Sequence, residues 1–207
     1  LSDFGSSIAN ASEKAAEAAA ENGKASPFGP APKTTLASYP TVDGVNSRVA
    51  VWLVAQLHLW FAAFVLAVPI FVFIIEAIGM KTRDQRYDDM AYEFIKVSIT
   101  AYSLTAVLGG LLGFLLILFY PDLWGYLVTI FKDTMFWYAI LFFAESACLY
   151  LYYYGWHWLQ GGFRKWVHLT LGLVLNAVGT TLMLLANAWL TFMMSPAGVD
   201  AAGVFRG

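Results

Sequence analysis

From Val49 to Ile75 almost every residue is apolar, and the exceptions are Gln56 and His58. A run of this length fits a membrane-spanning helix, because roughly 20 residues at 1.5 Å each cross a hydrocarbon core of about 30 Å. A histidine inside such a run is costly in lipid, so its ring must face protein, cofactor or water. Composition agrees over the whole chain, with 59% hydrophobic and 13% charged residues, against about 25% charged in soluble domains. Aromatic residues make up 17%, and many Trp and Tyr lie near the ends of apolar runs, where interfacial belts form. The net charge of -2 gives no sign of a nucleic-acid partner. The single cysteine, Cys148, lies inside an apolar run and has no second thiol to pair with. A CxxCH motif is absent from the sequence, so no covalently attached haem c is expected.

Residues 1–46 differ in character, being rich in Ala, Ser, Pro and Gly. Asn10 or Ser12 can cap a helix that stops at Gly23. The second half carries four of the seven prolines and reads as extended chain. The stretch lacks a positive segment followed by an apolar one, so it does not read as a signal peptide. Two readings stand for this tail: a free extension, or a strap ordered across a neighbouring subunit.

Four spans follow. The first runs from about Ser47 to Met80, with Pro69 inside it, and the mixed-charge stretch 81–89 is read as an aqueous loop. The second runs from about Tyr92 to Tyr120 and contains Gly109 and Gly113, a GxxxG pair that lets another helix approach closely. The link Pro121–Asp133 has an amphipathic piece suited to the interface. The third span runs from about Thr134 to Leu159. After a turn at 160–165, the fourth runs from about Trp166 to Met194, where Ser195–Pro196 ends it. The expected fold is an all-α membrane protein: a four-transmembrane-helix, up-down-up-down bundle over 47–198, with an extended N-terminal tail and a short C-terminal tail at 199–207. Lys81, Arg83, Arg86, Lys96, Arg164 and Lys165 lie on the side of the 1–2 and 3–4 links, whereas Arg48, Lys132 and Arg206 lie opposite. The positive-inside rule then puts the links in the cytoplasm. Both termini fall on the periplasmic side of a bacterial inner membrane.

The polar residues within these spans are the candidates for chemistry. His58 is read either as a structural histidine bonded to a helix carbonyl or water, or as an axial haem ligand in an apolar bundle. His168, Glu145 and the methionines are the candidates for a second iron ligand, with His168 expected too far from His58 to share one iron. His157 and His168 fall near the 3–4 link and are expected at the interface. Glu145 is expected neutral where it is buried without a cation, serving either as a proton stepping stone with Ser146 or as a hydrogen-bonding acid across the bundle. Glu76 is expected to reach the interface and be solvated. Arg48 is read as an interfacial anchor or as a cation for a lipid phosphate, haem propionate or quinone headgroup.

Several of these residues stand in a familiar order. Ser47-Arg48, followed ten residues on by His58, resembles the start of subunit I of the cytochrome bd quinol oxidases. Phe142-Phe143-Ala144-Glu145-Ser146 resembles that family's F-F-x-E-S segment, and Tyr154-Gly155-Trp156 its F-G-W. His168 resembles a histidine opening the fourth helix, and Ala186-Asn187-Ala188-Trp189 with Pro196 resembles A-N-G-W…P. The resemblance implies a haem of b or d type on His58, Arg48 near a propionate, Glu145 and Ser146 in a proton path, and a neighbouring quinone. It also implies partner subunits, because the family's further haem ligands and its quinol loop belong to helices beyond the fourth. Two departures stand out: Trp137 replaces a glutamate close to the family's oxygen-reducing haem, and Ala50-Val51 interrupt the first-helix pattern. The functional expectation is a membrane subunit of a respiratory electron-transfer complex. The alternatives are a haem-free membrane anchor on the same scaffold and a small oligomeric transporter, for which none of the spans offers a continuous polar face.

Overall fold

The structure, a computed structural model, describes residues 30–31 and 39–206. The helix expected at 10–23 and most of the extended tail lie outside those residues. A short hairpin pairs β1 (Thr41–Val42) with β2 (Val45–Asn46). Asp43 and Gly44 make its turn at positive φ, 49° and 82°, the arrangement that Asp-Gly sequences favour. Five helices follow: α1 (Ser47–Thr82), α2 (Gln85–Phe119), α3 (Pro121–Ile130), α4 (Lys132–Tyr154) and α5 (Gly162–Met194).

Local chemistry accounts for the boundaries. The Asn46 side chain accepts from the Arg48 amide at 2.9 Å and caps α1. Asp84 does the same for α2, accepting from the Arg86 amide at 3.0 Å. The charged stretch 81–89 is therefore mostly helical. Arg83, left-handed at φ 59°, and Asp84 alone separate the two helices. Pro121 opens α3, where its missing amide costs nothing. The third span ends at Tyr154, about a turn before the expected Leu159, and residues 155–159 form turns.

Helices α1, α2, α4 and α5 are each long and apolar enough to cross a membrane. α1 runs antiparallel along α2, α4 along α5, and α1 also packs on α5. Pro69 lies within an otherwise continuous α1, and Asn176 of α5 donates to its carbonyl at 3.3 Å.

The core is concentrated at one end. The buried apolar side chains of the spans, Val65, Val72, Ile95, Tyr102, Leu149, Tyr152 and Leu175 among them, occupy the half nearest the 1–2 and 4–5 links. In the half nearest the termini, no described residue of 48–64, 103–119, 132–144 or 183–194 is buried. At that rim Ala31 donates to the Gly203 carbonyl at 2.7 Å, and Tyr126 of α3 to the same carbonyl at 3.3 Å.

Candidate functional site

His58 lies in the open, termini-side half, half-buried between α1 and α2. Its Nδ1 is 3.0 Å from the Thr105 carbonyl oxygen. A carbonyl only accepts, so Nδ1 carries the hydrogen in the neutral ring and the lone pair resides on Nε2. Among the described residues Nε2 has no hydrogen-bond partner. The ring fits closely against α2, where a Cβ on Gly109 would come 2.9 Å from His58 Cε1. One nitrogen is thus tied to a helix carbonyl, and the other keeps its lone pair. No group of three or more His, Cys, Asp or Glu able to hold a metal ion occurs among the described residues. A porphyrin iron needs only one or two axial side chains from the protein, so the donor set here fits haem and not a multidentate protein metal site.

Arg48 is exposed at the rim, its guanidinium 5.1 Å from the centre of the Tyr39 ring. Ten helical residues separate it from His58, about 15 Å along the axis. Ser47 beside it is buried, and its hydroxyl pairs with Tyr120 at 2.8 Å.

Glu145 and Ser146, adjacent in sequence, point to different helices. Glu145 is 9% exposed and faces α5 and α1, its Oε1 only 2.6 Å from where a Gly179 Cβ would stand, with Leu66 close by. Among the described residues its carboxyl has no hydrogen-bond partner. Ser146 turns toward α2, donates to the Phe142 carbonyl at 2.8 Å and pairs with the Tyr102 hydroxyl. Trp137 is 59% exposed and lines an open cleft between α4 and α5 with Asp133, Thr134, Leu141, Thr181 and Leu185.

A second polar centre, at the link side, departs from expectation. Glu76 and His168 are both 0% exposed, not solvated at the interface. Glu76 Oε1 accepts from Lys165 Nζ at 2.9 Å and lies 2.6 Å from His168 Nδ1, while Oε2 accepts from the Tyr152 hydroxyl. Lys165 also reaches Asp88 at 2.9 Å and Gln160 at 3.2 Å. His168 Nε2 donates to the Tyr152 carbonyl at 2.9 Å. Both ring nitrogens of His168 are therefore engaged, which removes it as a second iron ligand. The Tyr152 and Trp156 rings enclose the imidazole at 4.2 and 4.7 Å between centroids. Each of the four spans contributes a charged or polar group, so the cluster fixes their mutual register by directional bonds in a low-dielectric core. The physical reason for the miss is helical phase. Glu76 shares the face of Val65, Val68, Val72, Ile75 and Gly79, the stripe that α1 buries. Lys165 and His168, three apart, share one face of α5. His157, by contrast, is exposed and its ring packs at a tilt against Tyr92, 4.8 Å between centroids.

The fold defines an integral membrane four-helix bundle with one histidine donor in its loosely packed half and a closed ion cluster in the other. The family model described as cytochrome bd terminal oxidase subunit I matches residues 46–205, and the chain belongs to that family. Its fold is similar to a solved structure, the bd oxidase from Geobacillus thermodenitrificans, with 21% identity and a TM-score of 0.67. That match covers 74% of this chain and 35% of the other, so the chain spans about a third of the length of its solved relative. No curated protein sequence matches the chain.

Proposed function

We propose that this chain is a haem-holding membrane subunit of a respiratory oxidase-related complex, in which His58 Nε2 would hold the haem iron. The observation that carries this reading is the His58 hydrogen bond to the Thr105 carbonyl, which leaves Nε2 with its lone pair in the loosely packed half of the bundle, where no described residue of 48–64 or 103–119 is buried. Histidine ligands commonly donate their other ring N–H to a carbonyl in this way, which fixes the tautomer and raises basicity at the metal-facing nitrogen. A haem of b or d type would supply a one-electron couple within the membrane. Around it the chain's own residues have separate tasks. Arg48 presents a cation at the rim for a propionate or a quinone headgroup. Glu145, without a bonding partner, takes up and releases a proton, and the Ser146–Tyr102 hydroxyl pair forms a relay on the neighbouring face. The remaining redox sites come from other subunits of the complex. The bundle sits in the bacterial inner membrane with both termini on the periplasmic side.

A haem-free anchor on the same scaffold is the second reading. It is favoured by Trp137 standing where the resembled family has a glutamate, and by the closed Glu76–Lys165–His168 cluster, which holds the helices together without any cofactor. A reduced-minus-oxidised spectrum of the purified complex separates the two. The haem reading expects a Soret component that His58→Ala removes. An unchanged spectrum in an intact His58→Ala complex supports the anchor.

A further inference from the structure

Gly109 and Gly113 form the GxxxG pair of α2, yet the two glycines differ in what surrounds them. A Cβ on Gly113 would meet nothing within 4 Å. A Cβ on Gly109 would stand 2.9 Å from His58 Cε1, 3.3 Å from Nδ1 and 3.8 Å from Nε2. Within this chain the two glycines therefore do not act as a pair. The first glycine has a neighbour within the chain, the Cε1 side of an imidazole. The carbonyl that His58 binds, that of Thr105, lies one turn earlier. In an α-helix the carbonyl of residue 105 pairs with the amide of residue 109, so a single turn supplies both the acceptor and the clearance. A carbonyl oxygen has two lone pairs and can serve the helix ladder and Nδ1 together.

We propose that the Thr105–Gly109 turn of α2 is the positioning element for His58: it sets the Nδ1–H tautomer and the plane of the ring, and so aims Nε2. This rests on the haem reading of His58 for its functional consequence but not for its geometry. A methyl group at residue 109 pushes the ring off α2, lengthens the bond to Thr105, and frees the ring to rotate or change tautomer. Loss of such a supporting bond typically costs about 10- to 100-fold in metal affinity.

The test uses the full chain in detergent micelles with 15N-labelled histidine, read by long-range nitrogen–proton correlation. Wild type and Gly113→Ala should both show His58 protonated at Nδ1, and Gly109→Ala should show a mixed or Nε2–H ring. In parallel, haem affinity should fall about 10- to 100-fold in Gly109→Ala and stay unchanged in Gly113→Ala. An Nε2–H tautomer in the wild type overturns the proposal without recourse to any variant. So does a folded Gly109→Ala protein whose tautomer and haem affinity match the wild type. If wild type and His58→Ala carry equal haem, the haem reading is what fails, and the nitrogen spectrum still decides on the turn.

Discussion

Replacing Lys165 with methionine should test the link-side cluster most severely. The Lys165 side chain is 7% exposed and Glu76 0%, and the ammonium has three acceptors: Glu76 and Asp88 at 2.9 Å and Gln160 at 3.2 Å. Methionine keeps most of the volume but removes the cation, leaving two carboxylates facing each other across a gap that water reaches poorly. Removing one partner of a buried ion pair costs about 3–5 kcal/mol, mainly through the uncompensated charge left behind. An ordinary hydrogen bond between membrane helices averages only about 0.6 kcal/mol, so the two cases are well separated. The assay is reversible SDS unfolding of the detergent-solubilised protein, followed by helical signal. Lys165→Met should lose about 3–5 kcal/mol. The double variant with Glu76→Gln should lose much less than the sum, because neutralising Glu76 removes the charge that Lys165 compensates. A loss under about 1 kcal/mol, additive with Glu76→Gln, would refute the ion-cluster account.

Other outcomes follow from the same geometry. Gly172→Ala puts a Cβ 2.9 Å from Tyr152 Cε2 and should destabilise by about 1–3 kcal/mol, whereas Gly113→Ala should be silent in the same unfolding assay. Glu145→Gln, at a carboxyl with no bonding partner, should leave the unfolding midpoint within about 0.5 kcal/mol of wild type while slowing proton uptake by the assembled complex in stopped-flow measurements. At the link, the Arg86 side chain and then its backbone amide hold Asp84 below its ordinary carboxylate value of 3.8. The cap at the start of α2 is therefore fully formed above that value and lost as pH falls through the lower, folded one. Amide exchange at Arg86 and Tyr87 should be pH-independent in relative protection down to about pH 4 and lose protection below it.

The four spans were legible because twenty-odd apolar residues in a row admit few other solutions, and helix boundaries erred where capping chemistry competes with charge. Asp84 shows this: a cluster of charges at 81–89 reads as loop, yet one aspartate side chain starts the next helix within it. For Glu76 and His168, charge near a span end suggests the interface, but helical phase decides: Glu76 lies on the same buried stripe as Val72 and Ile75. The partnership of Lys165 with Glu76 and Asp88 ties the last helix to the first two, Asp88 lying 77 residues away, and no local pattern encodes it. His58 could be singled out from sequence by its cost in lipid. Which of its nitrogens is free could not, because that depends on a carbonyl 47 residues away. Likewise the GxxxG spacing pointed at helix packing, whereas within this chain Gly109 faces the His58 ring and Gly113 faces open space.

The most direct test of the account is haem per chain in the purified complex, measured by pyridine haemochrome against quantitative amino-acid analysis, for wild type and His58→Ala side by side. The account predicts a wild-type stoichiometry that falls by one haem per copy of this chain in the variant, with all subunits still assembled. Equal haem in the two complexes would contradict it and leave this chain as an anchor.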